Sequence, residues 1–397
     1  MLLILYHIFF IRMKNITLCA FLLLCLGSMP LLALKGKDDD TPENPKPVAA
    51  AASLNASQAR PKPTATPRKV ISLSRLEPFS LGPMNLRILQ STEPRYAQQK
   101  EALLEEAARA VELQISRPNL FPHDATQLMA PFANVRSLSI ENLSLGDLPL
   151  LPCPEKLESL ELSCNAFQTI QSITHYTNLH TLQISGMLLS VTDQGPSKTD
   201  RLAVLTQLHN LRTLDCGTLF ILDHSAPDER ALLIRILGSN PEIEDFACAL
   251  NVAEDVVQAL ANLPLRRLSF TNGEIDDRKF ALFPFNTLEE LRLRGFHALW
   301  AFHPLTDLTP LQGSRLRVLY MRCQKNLGDT QVICSMQNLE ELYLNDCRLT
   351  DEQAEPLLPL AQRLRRLQLS GNPKLSDEMR QSLKAAFGDK VSLETLP

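Results

Sequence analysis

The chain has 397 residues, of which 45% are apolar, so it can bury a sizeable core in one long domain or in several compact ones. Its formal net charge of -4 excludes the marked basic excess that is typical of nucleic-acid-binding proteins, and no DNA or RNA partner is expected. The 9 cysteines show no paired spacing, which argues against a disulfide framework and favours buried free thiols.

The N-terminus has the pattern of a targeting segment. Residues 15–34 form an uncharged, leucine-rich run that follows two basic residues and ends in small residues around Ala33. Residues 1–34 are therefore predicted to be a signal peptide that is cleaved after Ala33, with translation starting at Met1 or, in better agreement with the charge pattern, at Met13. An uncleaved membrane anchor is the alternative, because about 20 apolar residues span a bilayer.

Two segments precede the regular part of the chain. Residues 35–69 are rich in Pro, Ala, Lys, Thr and Asp, a composition that predicts a disordered linker. Residues 70–109 are predicted to flank the N-terminal end of the folded domain. Their proline-containing first part, up to Ser91, is expected to pack irregularly, and an amphipathic capping helix is predicted to begin near Thr92.

Between residues 135 and 369 one short phrase recurs ten times: an apolar residue, two polar ones, an apolar, a polar and an apolar. The middle apolar residues lie 22 to 32 residues apart, and an earlier copy at 110–115 marks the predicted N-terminal end of the array. A strand would turn the last two apolar residues of each phrase to one side and the polar residue between them to the other. Such a strand cannot bury its apolar face alone, so stacking into a parallel sheet is predicted.

The phrase resembles the leucine-rich repeat, whose consensus Leu-x-x-Leu-x-Leu-x-x-Asn/Cys-x-Leu is matched closely by residues 157–167 and 339–349. The resemblance covers about residues 110–393 and implies an α/β leucine-rich-repeat solenoid over residues 110–397. Its expected form is a horseshoe or arc with a parallel sheet on the concave side and partly helical connectors on the convex side.

Details of the repeats extend this resemblance. The consensus Asn/Cys slot holds Asn165, Asn251, Cys347 and Asn372, and other residue types in the remaining repeats. Connectors with a helical pattern are predicted at 228–237, 253–260 and 376–387, and a weaker one, interrupted by prolines, at 351–360. Long helical connectors are similar to those of the ribonuclease-inhibitor-like subclass.

The usual signatures of catalysis are absent from the sequence. It has no phosphate-binding glycine loop, no Gly-x-Ser-x-Gly elbow, no His-Glu-x-x-His and no Cys-x-x-Cys, so a non-enzymatic protein without a cofactor is expected. His297 and His303 are near enough in sequence to suggest a metal pair, but no Cys or carboxylate with ligand spacing lies beside them. Packing with Trp300 and Phe302 on a convex connector is the favoured interpretation, and no metal site is predicted.

The outward residues of the strands are the candidates for binding, because a solenoid presents its strand face as an extended surface. Small and acidic residues dominate the first half, whereas the seventh to ninth phrases bring together the predicted binding residues Arg292, Arg294, Tyr320, Arg322, Tyr343 and Asn345. Exposed Tyr and Arg are enriched at interaction hot spots, so this patch is predicted to bind an acidic or carboxylate-bearing protein or glycan. The alternative is a solvated sheet face on which Arg pairs with Glu289, Glu290, Glu340 and Glu341.

These features together predict an exported, non-enzymatic bacterial protein that recognises another macromolecule with its concave face. It is expected to be a monomer and to be periplasmic, cell-surface or secreted, with the N-terminal segment as the one possible membrane tether. An effector that is delivered into a host cell and binds a host protein is the alternative.

Overall fold

The computed structural model describes residues 78–116, 126–142, 144–186, 188–189, 197–220, 226–249, 252–271, 275–295, 305–324 and 327–394. Several predictions lie outside the described residues. They concern the signal peptide or anchor at 1–34, the linker at 35–69, Asn251, and the connector that carries His297, Trp300, Phe302 and His303.

The described residues form short strands joined by turns and short helices. The strands are β1 (Phe79–Leu81), β2 (Glu112–Ser116), β3 (Ser137–Glu141), β4 (Ser144–Leu145), β5 (Ser159–Ser163), β6 (Ala166–Phe167), β7 (Thr181–Ser185), β8 (Leu188–Leu189), β9 (Thr213–Asp215), β10 (Asp245–Ala249), β11 (Arg267–Thr271), β12 (Glu290–Arg294), β13 (Val318–Arg322), β14 (Glu341–Asn345), β15 (Arg366–Gln368) and β16 (Val391–Ser392).

The connecting segments contain α-helices and 3₁₀ turns. The α-helices are α1 (Pro83–Gln90), α2 (Ala97–Arg109), α3 (Thr126–Met129), α4 (Lys198–Leu202), α5 (Pro227–Ser239), α6 (Glu254–Ala261), α7 (Asp277–Ala281), α8 (Gln331–Cys334), α9 (Asp351–Ala354) and α10 (Asp377–Phe387). The 3₁₀ segments are Pro94–Tyr96, Pro154–Lys156, Gln171–His175, Ala203–Gln207, Thr309–Leu311, Glu355–Gln362 and Gly388–Lys390.

The strands stack into one long parallel sheet. Among the described residues it has 13 strands in the order β1-β2-β3-β5-β7-β9-β10-β11-β12-β13-β14-β15-β16, and β4, β6 and β8 form a separate 3-stranded sheet. The register places the middle apolar residue of one phrase opposite that of the next, as when Leu160 lies between Leu138 and Leu182. Strands β1 and β16 lie at opposite edges, so the sheet is open. This confirms the predicted α/β solenoid with a stacked parallel sheet.

The inward residues of each phrase form the core. Leu160 and Leu162 of β5 are 0% exposed, as are Leu342 and Leu344 of β14. Burial of one such side chain contributes about 1.5–3 kcal/mol, and most of the area that covers it comes from the neighbouring repeats. The stack, rather than any single repeat, is therefore the unit that folds.

A left-handed backbone turn ends many of the strands. Asn142, Cys164, Gly186, Cys323 and Asp346 directly follow β3, β5, β7, β13 and β14 and have φ values of 55°, 54°, 61°, 59° and 57°. After the turns at Cys164 and Asp346 the residue in the Asn/Cys slot enters the core: Asn165 is 0% exposed and Cys347 is 1% exposed.

Asn372 shows what this inward polar residue does. Its side chain is 1% exposed, and its Nδ2 donates hydrogen bonds to the carbonyl oxygens of Leu344 and Leu369, both at 2.8 Å. Its Oδ1 accepts from the backbone N–H groups of Cys347 at 3.0 Å and Leu349 at 3.1 Å. One buried amide thus satisfies four backbone groups at the turns of two repeats. Asn165 is also fully buried and donates to the carbonyl oxygen of Ile140 at 2.8 Å.

The connectors follow the predicted pattern with one difference. The helices expected at 228–237, 253–260 and 376–387 are present as α5, α6 and α10. At 351–360 the helix stops after α9 and continues as the 3₁₀ segment Glu355–Gln362, because Pro359 cannot supply the N–H that an α-helix needs. Other connectors carry a short α-helix, such as α3, α7 and α8, or a 3₁₀ segment, such as Pro154–Lys156 and Thr309–Leu311. The ribonuclease-inhibitor-like subclass stays a prediction.

The sheet extends one strand further toward the N-terminus than the phrase itself indicates. Strand β1 pairs in parallel with β2, with Phe79 opposite Leu113, and α1 and α2 connect the two strands. The ring of Phe79 packs edge-on against Phe132, with the ring centroids 5.3 Å apart. Irregular packing was expected here. Instead, the flanking segment adds a strand to the edge of the array.

Candidate interaction surface on the strand face

Outward side chains of neighbouring strands stand in columns, and the surface they form from β2 to β16 is called the strand face. Because the strands are parallel and in register, each outward residue lies opposite its counterpart in the next repeat. The middle column runs Gln114, Ser139, Glu161, Gln183, Asp215, Ala247, Ser269, Arg292, Tyr320, Tyr343, Gln368 and Ser392.

The predicted Arg/Tyr residues come together on β12, β13 and β14. Arg292 lies opposite Tyr320, which lies opposite Tyr343, and the two rings are tilted by 35° with their centroids 5.3 Å apart. The guanidinium carbon of Arg294 is 5.1 Å from the centroid of the Tyr320 ring, and that of Arg292 is 6.0 Å from it. Both distances allow cation–π attraction. We call Arg292, Arg294, Tyr320, Arg322 and Tyr343 the Arg/Tyr patch.

The cations of this patch differ in how they are neutralised. Arg292 contacts Glu290 on its own strand while its side chain stays 41% exposed. The Nε of Arg322 donates to Asp346 at 2.9 Å. Arg294 is exposed, and no carboxylate among the described residues forms a salt bridge with it. It lies directly opposite Arg322, so two like charges face each other across neighbouring strands. Asp346 offsets the charge of Arg322, so Arg294 is the member of this pair without a salt bridge among the described residues.

Tyr343 is held in place by a hydrogen bond as well as by its contact with the ring of Tyr320. The hydroxyl of Tyr343 donates to Glu341 at 2.5 Å. Partial burial and this hydrogen bond to a carboxylate raise the pKa of Tyr343, so the phenol stays protonated at neutral pH. A ring that is fixed on one side by Tyr320 and at its hydroxyl by Glu341 presents a rigid edge to the solvent.

Asn345 differs from the other predicted binding residues. It is 2% exposed, its Oδ1 accepts from the backbone N–H of Ser370 at 3.1 Å, and its Nδ2 approaches the side-chain oxygen of Gln368 at 3.4 Å. The expectation that it stands outward on the surface is therefore corrected: its amide joins β14 to β15. It lies opposite Arg322 of the Arg/Tyr patch, and its role in binding a partner stays a prediction.

The other half of the strand face carries carboxylates. Glu161 accepts hydrogen bonds from the hydroxyls of Ser139 and Ser163, both at 3.3 Å, and Asp215 accepts from the backbone N–H of Gly217 at 2.9 Å. Burial raises the pKa of Asp215, the hydrogen bond from Gly217 partly offsets this, and the charge of Glu161 raises it further. The outward columns of the sequence contain these acidic residues, but the sequence alone does not indicate a role for them.

A ladder of alternating charges runs along the edge where the strands begin. Its members occupy the second position of successive phrases: Arg136, Glu158, Arg212, Glu244, Arg266, Glu289, Arg317, Glu340 and Arg365, with His180 between Glu158 and Arg212. Arg136 meets Glu158 at 2.5 Å, Arg266 meets Glu289 at 2.8 Å, and Glu340 meets both Arg317 at 2.8 Å and Arg365 at 3.2 Å. We call this set the charge ladder. It was not predicted, although the alternation is visible once the phrases are aligned.

The four glutamates that the sequence indicates as partners of the patch arginines fall into two groups. Glu289 and Glu340 pair along the ladder, whereas Glu290 and Glu341 turn to the strand face and contact Arg292 and Tyr343. Arg292 therefore pairs with a glutamate, as the alternative of a solvated sheet face expects, whereas Arg294 forms no salt bridge among the described residues.

The described residues offer little reactive chemistry. Cys216, Cys248, Cys323 and Cys347 are buried free thiols, as predicted, and burial raises the pKa of Cys347 to about 12, so the nucleophilic thiolate is disfavoured. Within the described part of the chain, no three His, Cys, Asp or Glu side chains are grouped to hold a metal ion. The helices described here are too short or too polar to cross a bilayer.

Comparisons with known proteins give similarity to solved structures alone. No family model matches the chain, and no curated protein matches it. An internalin (InlF) of Listeria monocytogenes is similar at 17% identity over 79% of this chain and 94% of the internalin, with a TM-score of 0.43. The mouse RP105/MD-1 complex contains a similar chain at 18% identity, 75% and 58% coverage and a TM-score of 0.41. A leucine-rich-repeat protein of Leptospira interrogans gives 14% identity, 74% and 98% coverage and a TM-score of 0.30.

These identities and TM-scores do not indicate a shared function. The assignment of the fold stands on the chain itself: the recurring phrase, the in-register parallel strands, the buried leucines and the inward Asn165 and Asn372. Together they identify the described part of this chain as a leucine-rich-repeat solenoid.

Proposed function

We propose that the strand face binds another protein and that the Arg/Tyr patch is the centre of this contact. The observation that carries the proposal is Arg294, an exposed guanidinium stacked on Tyr320 and without a carboxylate partner among the described residues. Stacked Arg and Tyr side chains are fixed before binding, so less conformational entropy is lost when a partner docks. These residue types also provide most hot spots of protein interfaces.

The patch favours a carboxylate-bearing partner. The arginine fork donates parallel hydrogen bonds to both oxygens of a carboxylate, and such charge-assisted bonds are stronger than neutral ones. A carboxylate bound to Arg294 supplies a counter-ion to a guanidinium that stands opposite a second cation, Arg322. Asp346 holds Arg322 from one side, and the buried Asn345 keeps β14 and β15 together below it. An acidic protein surface is the first candidate, and an acidic glycan presents the same chemistry.

The proposed role is recognition without catalysis, by a monomeric protein that is exported from a bacterial cell. The support for export is the apolar run at 15–34 with the basic residues before it. Intact-mass analysis of the mature protein tests this part of the proposal. Cleavage near Ala33 supports periplasmic, cell-surface or secreted location. An intact N-terminus in the membrane fraction indicates an anchor, and intact delivery into a host cell indicates an effector.

Affinity capture on the full chain, followed by partner identification and titration, tests the binding function. The variant Arg292→Ala, Tyr320→Ala, Tyr343→Ala removes the stacked centre, and loss of one hot spot alone weakens binding about 30-fold. The exposed Arg315, away from the strand face, supplies the control Arg315→Ala, which should bind like the parent. Unchanged affinity of the triple variant, with folding intact by circular dichroism, would reject the Arg/Tyr patch as the binding centre.

A further inference from the structure

Charge is segregated along the strand face. Strands β2, β3, β5, β7, β9 and β10 carry Glu112, Glu141, Glu161, Asp215 and Asp245 and no lysine or arginine. Strands β11 to β15 carry five arginines, Arg267, Arg292, Arg294, Arg322 and Arg366. Glu290 and Glu341 are the only carboxylates within these strands.

Most of the acidic half lacks internal counter-charges. Asp245 meets Arg267 at the boundary between the halves. Glu112, Glu141, Glu161 and Asp215 form no salt bridge with any described residue, and the hydrogen bonds that Glu161 and Asp215 accept come from neutral hydroxyl and backbone groups. Carboxylates without a paired cation in the protein attract the cationic side chains of a partner.

Small side chains separate the two halves. Ala247 and Ser269 occupy the middle column between Asp215 and Arg292, and Ala249 and Thr271 lie beside them. Three strand spacings of about 4.8 Å put Asp215 about 14 Å from Arg292 along the sheet. An extended peptide covers this distance in about four residues, at about 3.3 Å per residue.

We propose that the strand face selects a protein segment of bipolar charge, which places cationic side chains over the acidic half and carboxylates over the Arg/Tyr patch. The inference rests on the proposed function and adds a second contact region and an orientation to it. Charge complementarity of this kind determines orientation and the association rate more than it determines affinity. The small residues between the halves let the segment lie close to the backbone of β10 and β11.

Synthetic peptides test the inference on the full-length protein. The bipolar probe has three Lys, a Gly-Ser-Gly-Ser spacer and three Glu. The control peptide has the same composition with Lys and Glu alternating, and two further probes carry Lys alone or Glu alone. Fluorescence anisotropy at low ionic strength should show the bipolar probe bound at least about tenfold more tightly than the other three, with the difference shrinking as salt screens the charges.

Charge-swap variants supply the decisive comparison. Arg292→Glu with Arg294→Glu leaves more carboxylates than arginines on strands β11 to β15. Glu112→Lys, Glu141→Lys and Glu161→Lys leave more lysines than carboxylates on the acidic half, where Asp215 and Asp245 stay acidic. Each variant should lose the bipolar preference and bind the oppositely charged unipolar peptide. The variant that combines all five substitutions reverses the polarity and should recover bipolar binding, because the peptide can turn around. If the lysine variant does not fold, Glu112→Gln, Glu141→Gln and Glu161→Gln replace it and should reduce the bipolar preference.

The outcomes separate this inference from the proposed function. Equal binding of the Glu-only and bipolar probes, both lost on Arg292→Glu with Arg294→Glu, overturns the bipolar inference and keeps the Arg/Tyr patch as an anion-binding centre. Peptide binding that does not respond to the arginine variants overturns both.

Discussion

Replacement of Asn372 by alanine tests the hydrogen bonding that holds the repeats together. The side chain makes four hydrogen bonds of 2.8–3.1 Å to backbone groups in a site that is 1% exposed. A buried polar group left without a partner costs about 1–3 kcal/mol, and partial relaxation of the turn satisfies some of the four. Asn372→Ala should therefore lower the free energy of unfolding by about 3–5 kcal/mol, which is large for a single substitution.

The matched control is Asn178→Ala, because Asn178 is exposed and its Nδ2 donates one hydrogen bond, to the carbonyl oxygen of Glu155 at 2.6 Å. This substitution should lower the free energy of unfolding by about 1 kcal/mol. Urea unfolding followed by circular dichroism gives both values, and amide exchange shows whether Cys347 and Leu349 lose protection first. Equal costs for the two asparagines would show that the buried amide does not secure the turns.

Three further substitutions test the core, the acidic half and the ladder. Leu342→Ala should cost about 2–5 kcal/mol in urea unfolding, with amide exchange rising mainly in adjacent repeats; protection lost evenly along the chain would contradict a stacked array. Asp215→Asn should stabilise the protein at neutral pH. The pKa of Asp215 is higher in the folded state than its ordinary value of 3.8, so ionisation of this carboxyl lowers the free energy of unfolding as the pH rises from 3.8 through the folded-state pKa. The stabilisation should vanish in buffer more acidic than pH 3.8, where the carboxyl is protonated in both states. Glu340→Gln should cause a small loss, reduced by salt, since it weakens the contacts with Arg317 and Arg365. The hydrogen bond from Arg317 lowers the pKa of Glu340, so this loss should disappear as the pH falls through that lowered value, and a loss insensitive to both pH and salt would argue against an electrostatic ladder.

The sequence predicted the interior of the repeats well because packing dictates it. Leu160 and Leu162 are two residues apart, and a strand must turn both to the same side, so the phrase determines their burial. Helices α5 and α10 were predicted because their apolar spacing and end residues favour a helix locally. Strand β1 was missed because its three residues lie between Pro78 and Pro83, and its pairing with β2 becomes evident only once the first repeat is placed.

The surface was less predictable because several side chains compete for each partner. Glu289 and Glu290 are adjacent in sequence, yet the first pairs with Arg266 on the charge ladder and the second contacts Arg292 on the strand face. The side of the strand to which each residue turns decides between them. Asn345 sits at an outward position of its phrase, but its amide finds partners in Gln368 of β15 and in Ser370 after that strand, and its side chain is buried. The side that Glu290 faces follows from the alternation of the strand, but the burial of Asn345 does not.

The same repeats thus carry two charge patterns with opposite physical consequences. On the charge ladder, Arg and Glu alternate between neighbouring strands, so each charge meets its opposite, as Arg317 meets Glu340, and the in-register stack is favoured. On the strand face, like charges gather: Arg294, without a salt bridge among the described residues, stands opposite Arg322, which Asp346 neutralises, and the charge of Glu161 contributes to the raised pKa of Asp215. This gathering opposes stacking, so the stability of the solenoid does not account for it. A partner that brings the missing counter-charges accounts for both halves at once, which is why the strand face, and not the ladder, is where binding should be sought.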